Sequence, residues 1–127
     1  MISLGHYQEI GQLFMKFQRE KYLCDTVLVG KDKQVEAHSL LLAAASPVLK
    51  SAIDADMALG SCGQHYIRLL HIESEVLEII VQFIYTGNLA LSRRFSQFEA
   101  LTTLLHAMDE LGVKHHNLNG CLVKFRR

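Results

Sequence analysis

The spacing of apolar residues along this chain switches repeatedly between helical and strand periods. Residues 6 to 21, HYQEIGQLFMKFQREK, place Ile10, Leu13, Phe14 and Phe17 at the i, i+3, i+4, i+7 positions of one helical face. Gly11 interrupts that helix and weakens it by roughly 1 kcal/mol relative to alanine. DTVLVG, rich in β-branched residues, predicts a strand; GKDK predicts a turn; QVEAH alternates apolar and polar as the returning strand of a hairpin should. SLLLAAA holds strong helix formers with small residues that permit close packing. Ser46 then caps a second helix, with Pro47 at the first helical position, where the missing amide is not needed.

Beyond this point GSCGQ, residues 60 to 64, predicts a loop and HYIRLL a third strand. Ser74 and Glu75 open a helix, since an acidic residue in the first turn meets the positive helix end. EVLEIIVQFIYT is apolar on almost every side, which predicts a helix running through the core and ended by Gly87. Ser96 and Glu99 read as an S-x-x-E capping box for a helix carrying Phe98, Leu101, Leu104, Leu105, Met108 and Leu111, with Gly112 closing it. LNGCLVKF predicts a last, shorter helix. The order is helix, hairpin, two helices, strand, then three helices: a small α+β domain with a helical cluster on a small sheet.

A chain of 127 residues suits one domain, and a hydrophobic content of 50% is enough for a core. The 13 Lys and Arg balance the 13 Asp and Glu. A domain that neutralises many phosphates needs a basic surplus, so direct nucleic-acid binding by this segment is not expected. Little net charge also means little repulsion between copies. Three cysteines, Cys24, Cys62 and Cys121, are odd in number and widely spaced, a poor disulfide framework. With neither a signal-peptide pattern nor a long apolar run, an intracellular protein without a membrane span is expected.

Two constellations suggest chemistry. Asp25, His38 and Ser39 lie near the hairpin and contain the residue types of a nucleophile triad, but no Gly-x-Ser-x-Gly elbow or glycine-rich oxyanion loop accompanies them. The alternative is a histidine packed at a strand-to-helix junction and bonded to backbone. Cys62 and His65 form half of a zinc-type spacing, with His115, His116 and Cys121 as further donors, yet zinc sites usually show two short pairs and only one is present. No metal or cofactor is expected. The stripe on the first helix has two outlets: packing on its own domain, or packing across a dimer. Four such side chains, once buried, contribute roughly 1.5–3 kcal/mol each.

LCDTVLVGKDKQVEAHSLLLAAASPVL, VLEIIVQFIYTGNLAL and LLHAMDELGV followed by LNGCLVKF resemble, in order and spacing, the BTB/POZ domain. The resembling features are Cys-Asp before the first strand, Ala-His at the end of the second, L-A-A-x-S-P after it, and Tyr-Thr-Gly closing a buried helix. They cover about residues 6 to 125. The resemblance implies an interaction module with no catalysis of its own, spanning residues 1 to 127 as the N-terminal module of a longer protein. It implies a homodimer with Ile10, Leu13, Phe14, Phe17 and Leu23 at the interface and a nearby pocket containing Asp25, His38 and Ser39.

It further implies a downstream segment, zinc fingers or Kelch repeats, linked to corepressor or coactivator proteins or to a cullin-type ubiquitin ligase. A nuclear zinc-finger transcriptional regulator is the first expectation and a cullin substrate adaptor the alternative. Zinc-finger members of the family usually carry Arg or Lys after Ala-His, facing the aspartate; here the residue is Ser39, so Asp25 must find other donors or water. Adaptors carry a glutamate in an apolar-x-Glu motif after the Ser-Pro helix; here the run is Met57-Ala58-Leu59, and a cullin contact through Met57 and Leu59 is expected to be weak. Val48 and Leu49 replace the usual aromatic pair after Ser-Pro.

Overall fold

In the computed structural model, which describes residues 4–60, 63–113 and 123–125, the chain runs α1 (Leu4–Arg19), β1 (Thr26–Val29), β2 (Gln34–Ala37), α2 (Ser39–Ala45), α3 (Pro47–Ala58), β3 (His65–Arg68), α4 (Ser74–Thr86), β4 (Leu89–Leu91), a 3₁₀ turn (Arg93–Ser96), α5 (Phe98–Leu111) and β5 (Val123–Phe125). The β1–β2 hairpin is antiparallel, with Thr26 opposite Ala37 and Val29 opposite Gln34. β3 joins the other side of β1 in parallel, which a hairpin turn cannot achieve; α2 and α3 supply the crossover. The outcome is a mixed three-stranded sheet, order β2-β1-β3, under a cluster of helices: the α+β class the pattern predicts.

α4 occupies the middle of the core, with Val76, Leu77, Ile79, Ile80, Val81 and Tyr85 all buried. Gly87 ends it in a left-handed conformation, φ 76°, where a Cβ would be strained. The serine before Pro47 caps α3 as expected, accepting from the Leu49 amide at 3.0 Å. Fully buried, its hydroxyl donates in turn to the Leu111 carbonyl, fastening the start of α3 to the end of α5. Ser74 does more than open α4. Its hydroxyl accepts from the Lys33 amide (2.7 Å) and donates to the Lys33 carbonyl (3.0 Å), while its own amide donates to Asp32 Oδ1 (3.0 Å), so the hairpin turn is stitched to the helix.

Three expectations are corrected. LNGCLVKF contributes a strand, not a helix, at 123–125, with its residues 118–122 outside the described segments; it pairs in parallel with β4, Leu89 opposite Val123. β4 itself carried no strand signal. The capping box fails: Gln97, not Ser96, is the N-cap of α5 and makes no side-chain cap bond, and Ser96 donates instead to the Arg93 carbonyl at 2.7 Å. The first helix also lies two residues earlier than predicted, since Glu20 to Leu23 form a turn.

Candidate functional site

α1 meets the body of the domain through Gly11, Met15 and Gln18, one helical face. A Cβ on Gly11 would lie 2.8 Å from the Tyr85 carbonyl oxygen, so only glycine allows this approach to α4. Met15 is buried, and Gln18 Nε2 donates to the Glu36 carbonyl on the open edge of β2 at 2.8 Å. The stripe of Ile10, Leu13, Phe14 and Phe17 is centred roughly 100° around the helix from that face. Leu13 is 51% exposed and Phe14 38%, and Ile10 and Phe17 are partly buried. The stripe is therefore not consumed by packing on its own domain.

The turn after α1 holds Lys21 at φ 58° and Leu23 at φ 59°, left-handed conformations that cost a side-chain-bearing residue about 1–2 kcal/mol each. The outcome is to project Leu23 outward, 73% exposed. Beside it lies a cleft of about 280 Å³ lined by Phe14, Phe17, Leu23, Asp25, His38, Ser39, Leu40 and Leu41. Two sets of residues singled out separately in the sequence thus meet in one place: three of the stripe-and-turn residues form its wall, and Asp25, His38 and Ser39 its base. Ile10 and Leu13 flank it on α1 without lining it.

Asp25 finds its donors in Ser39. The Ser39 amide donates to Oδ1 at 2.7 Å, the Ser39 hydroxyl to Oδ2 at 2.6 Å, and the Thr26 hydroxyl to Oδ1 at 3.3 Å. Burial pushes the Asp25 carboxyl up, but the Ser39 bonds outweigh it and hold the group below the usual carboxylate value. Ser39 is the first residue of α2, so the carboxylate also sits at a positive helix end. With its oxygens so engaged, Asp25 leaves a cleft whose remaining walls are leucine and phenylalanine.

His38 is tied at both ring nitrogens. Nε2 lies 2.7 Å from the Tyr22 carbonyl, which can only accept, so Nε2 carries the proton. Nδ1 then accepts from the Tyr85 hydroxyl at 2.5 Å, and that hydroxyl accepts from the His38 amide at 2.9 Å. Burial pushes the Tyr85 phenol well above its ordinary range, and the neighbouring Cys24 and Asp25 add to this against the lowering effect of the His38 amide. The geometry contradicts a triad. The acid binds the serine and not the histidine, and no free imidazole nitrogen faces the Ser39 hydroxyl. Burial, followed by the charges of Glu36 and Asp25, raises the Cys24 thiol, which disfavours a reactive thiolate.

Of the zinc-type residues, His65 is buried and its Nδ1 lies 2.8 Å from Asp56 Oδ2, while Cys62, His115, His116 and Cys121 fall outside the described residues. Met57 and Leu59 stand apart from the cleft, at the end of α3, 55% and 86% exposed. Sequence reasoning missed Tyr22, Leu40 and Tyr85 as parts of this site. For Leu40 a signal existed: three successive leucines on a seven-residue helix cannot all face the core, and the structure buries Leu42, half-buries Leu41 and exposes Leu40.

An N-terminal helix with an open apolar face, a hairpin, and a polar cluster at the Ala-His junction form one constellation. The family model for the BTB/POZ domain matches residues 14–119. The chain belongs to the BTB/POZ domain family. BTB domains are protein–protein interaction and dimerisation modules, and the family is typically non-enzymatic. Among curated relatives, mouse Kelch-like protein 3 is 25% identical over 109 residues, 85% of this chain and 18% of that protein. Human Kelch-like protein 5 is 29% identical over 89 residues, 70% of this chain and 12% of that protein. The chain thus spans less than a fifth of the length of these relatives. The BTB domain of zebrafish PATZ1 superimposes with a TM-score of 0.68 at 21% identity, covering 89% of this chain and 86% of that one, a likeness of fold. Among the described residues no helix is long and apolar enough to cross a membrane.

Proposed function

We propose that this BTB domain associates with a second copy of itself through the outer face of α1, the Leu23 turn and the start of α2, as the N-terminal interaction module of a longer nuclear regulator. One observation carries the reading: Leu13, Phe14, Leu23 and Leu40 are exposed together on one side of a domain whose own core is complete without them. An apolar patch of this kind on a soluble surface marks an interaction site. Light scattering on the purified chain at micromolar concentration tests it, with about twice the 14.4 kDa chain mass as the expected result. A single-chain mass throughout that range would overturn the dimer.

For the protein carrying the module, we favour a zinc-finger transcriptional regulator that recruits corepressor or coactivator proteins. Leu59 supports it: an exposed leucine cannot accept the hydrogen bonds that a glutamate would, which argues against a strong cullin contact. The second reading, a substrate adaptor of a cullin ubiquitin ligase, has the Kelch-like relatives in its favour. Calorimetric titration against a cullin N-terminal domain separates them. Weak or absent binding that strengthens in Leu59→Glu supports the first; tight binding that ignores Leu59→Glu supports the second.

A further inference from the structure

Ser96 has no part in capping α5, and its surroundings assign it different chemistry. It closes the 3₁₀ turn Arg93–Ser96, exposed to solvent, with its hydroxyl on the Arg93 carbonyl at 2.7 Å. Arg93 and Arg94 stand three and two residues before it, giving Arg-Arg-x-Ser. The two arginines differ in circumstance. Both are exposed, but among the described residues the Arg94 guanidinium is occupied by carboxylates, Glu73 at 2.7 Å and Glu75 at 2.6 Å, and Arg93 makes no such pair. Phe95, between Arg94 and Ser96, is buried and fastens the turn to the core.

We propose that Ser96 is a phosphorylation site for a serine/threonine kinase that recognises arginine two and three residues before its target, with ATP as the phosphoryl donor. Guanidinium groups pair with carboxylates in fixed fork geometry, so an acidic kinase surface reads both arginines; on Arg94 it takes the places of Glu73 and Glu75. In the transfer, Ser96 Oγ bonds to the γ-phosphorus as the bond from that phosphorus to the bridging oxygen of ADP breaks. The hydroxyl proton leaves to the catalytic base of the kinase. Binding in an extended form requires the single turn to open and Phe95 to leave the core, a local opening open to roughly one molecule in a hundred at any moment. Phosphorylation of the folded chain therefore proceeds, but more slowly than that of the same residues in an unfolded peptide. The product places nearly two negative charges beside Arg93, and Ser96 Oγ, its proton gone, can no longer donate to the Arg93 carbonyl.

The test incubates the purified chain with ATP and an arginine-directed kinase, then reads intact mass and fragment masses over time. One phosphate on Ser96 is expected, absent in Ser96→Ala and about tenfold slower to appear in Arg93→Ala, a loss of one arginine contact worth roughly tenfold. Arg93→Lys, which keeps the charge and loses the fork, should fall between; it also stands in for Arg93→Ala should thermal melting show that variant misfolded. If Ser96 of the folded chain stays unmodified while a control Arg-Arg-x-Ser peptide is fully converted, the site is wrong. Phosphate on Ser96 at a rate unmoved by either Arg93 variant overturns the arginine recognition.

Discussion

The two faces of α1 do opposite jobs with unexpected residues. The face against α4 is made of Gly11, Met15 and Gln18: a missing side chain, a flexible one and a polar one. The face turned away carries Ile10 and Phe17 along its middle, partly buried, and the exposed Leu13 and Phe14 at its two edges. In an ordinary surface helix the larger apolar side chains face the core. Here, close approach at a glycine and one hydrogen bond to a strand edge attach the helix, leaving the apolar side chains for another surface. An apolar stripe identifies a face that will be buried; it does not identify by what.

The harshest test of that division removes the outward face. Leu13→Asp with Phe17→Asp should weaken self-association by at least about 3 kcal/mol, since each buried apolar side chain contributes about 1.5–3 kcal/mol. Light scattering should then show the dimer gone at micromolar concentration, and because many homodimers lack a stable single-chain form, solubility should fall with it. Unchanged dimer mass would mean that the stripe is bystander surface.

Breaking the inward face should leave a different signature. Gly11→Val sets a branched side chain against the Tyr85 carbonyl, 2.8 Å from where its Cβ must sit. Overpacking of this kind costs about 1–3 kcal/mol, read as a lower denaturant midpoint. A variant as stable as the parent would show that α1 is not held at this point. Tyr85→Phe comes next. It leaves the His38 amide and Nδ1 without their shared partner, at about 2 kcal/mol, with little change in apolar area.

The smallest effect separates the polar base of the cleft from its apolar wall. Ser39→Ala removes one of three side-chain or amide donors from the Asp25 carboxylate and should cost about 1 kcal/mol, the group being only partly buried. The pH dependence has a definite sign. Because folding lowers the Asp25 pKa, its contribution is present above the unfolded value near 3.9 and is lost as pH falls through the lower folded value. Melting temperature followed from pH 6 down to about 2 should fall less steeply in Asp25→Asn than in the parent. Parallel curves would show that the carboxylate is not held as described.

Much of this was legible along the chain because it is decided locally. The hairpin, the Ser46–Pro47 helix start and the all-round apolar α4 each depend on residues within a few positions of one another. What escaped depends on partners far away. β4 and β5 are three residues each, too short for a period, and become strands only by pairing with each other. Ser96 matched a capping pattern, yet the 3₁₀ turn before α5 moved the helix start past it. At the cleft Asp25, His38 and Ser39 could be named from the chain, whereas Tyr22, Leu40 and Tyr85 and the wiring among them could not. That Ser39 is itself the partner of Asp25, and that Tyr85 closes both the amide and the ring of His38, follows from bringing together positions up to 47 residues apart. Gly11 looked like a weak point in a helix; it is the condition for the helix lying where it does.

The stitching of the hairpin turn to α4 has a consequence in time. A hairpin tip normally exchanges its amide hydrogens with water almost as fast as an unfolded peptide. Here the Gly30 amide is bonded to the Lys33 carbonyl, the Lys31 amide to the Ile72 carbonyl and the Lys33 amide to the Ser74 hydroxyl, while the Ser74 amide is bonded to Asp32. The Lys31 and Lys33 hydrogens are released only when the segment from Ile72 to the start of α4 lifts away, so in a deuterium-exchange experiment these two positions of the exposed GKDK tip should keep time with the buried helix beneath it.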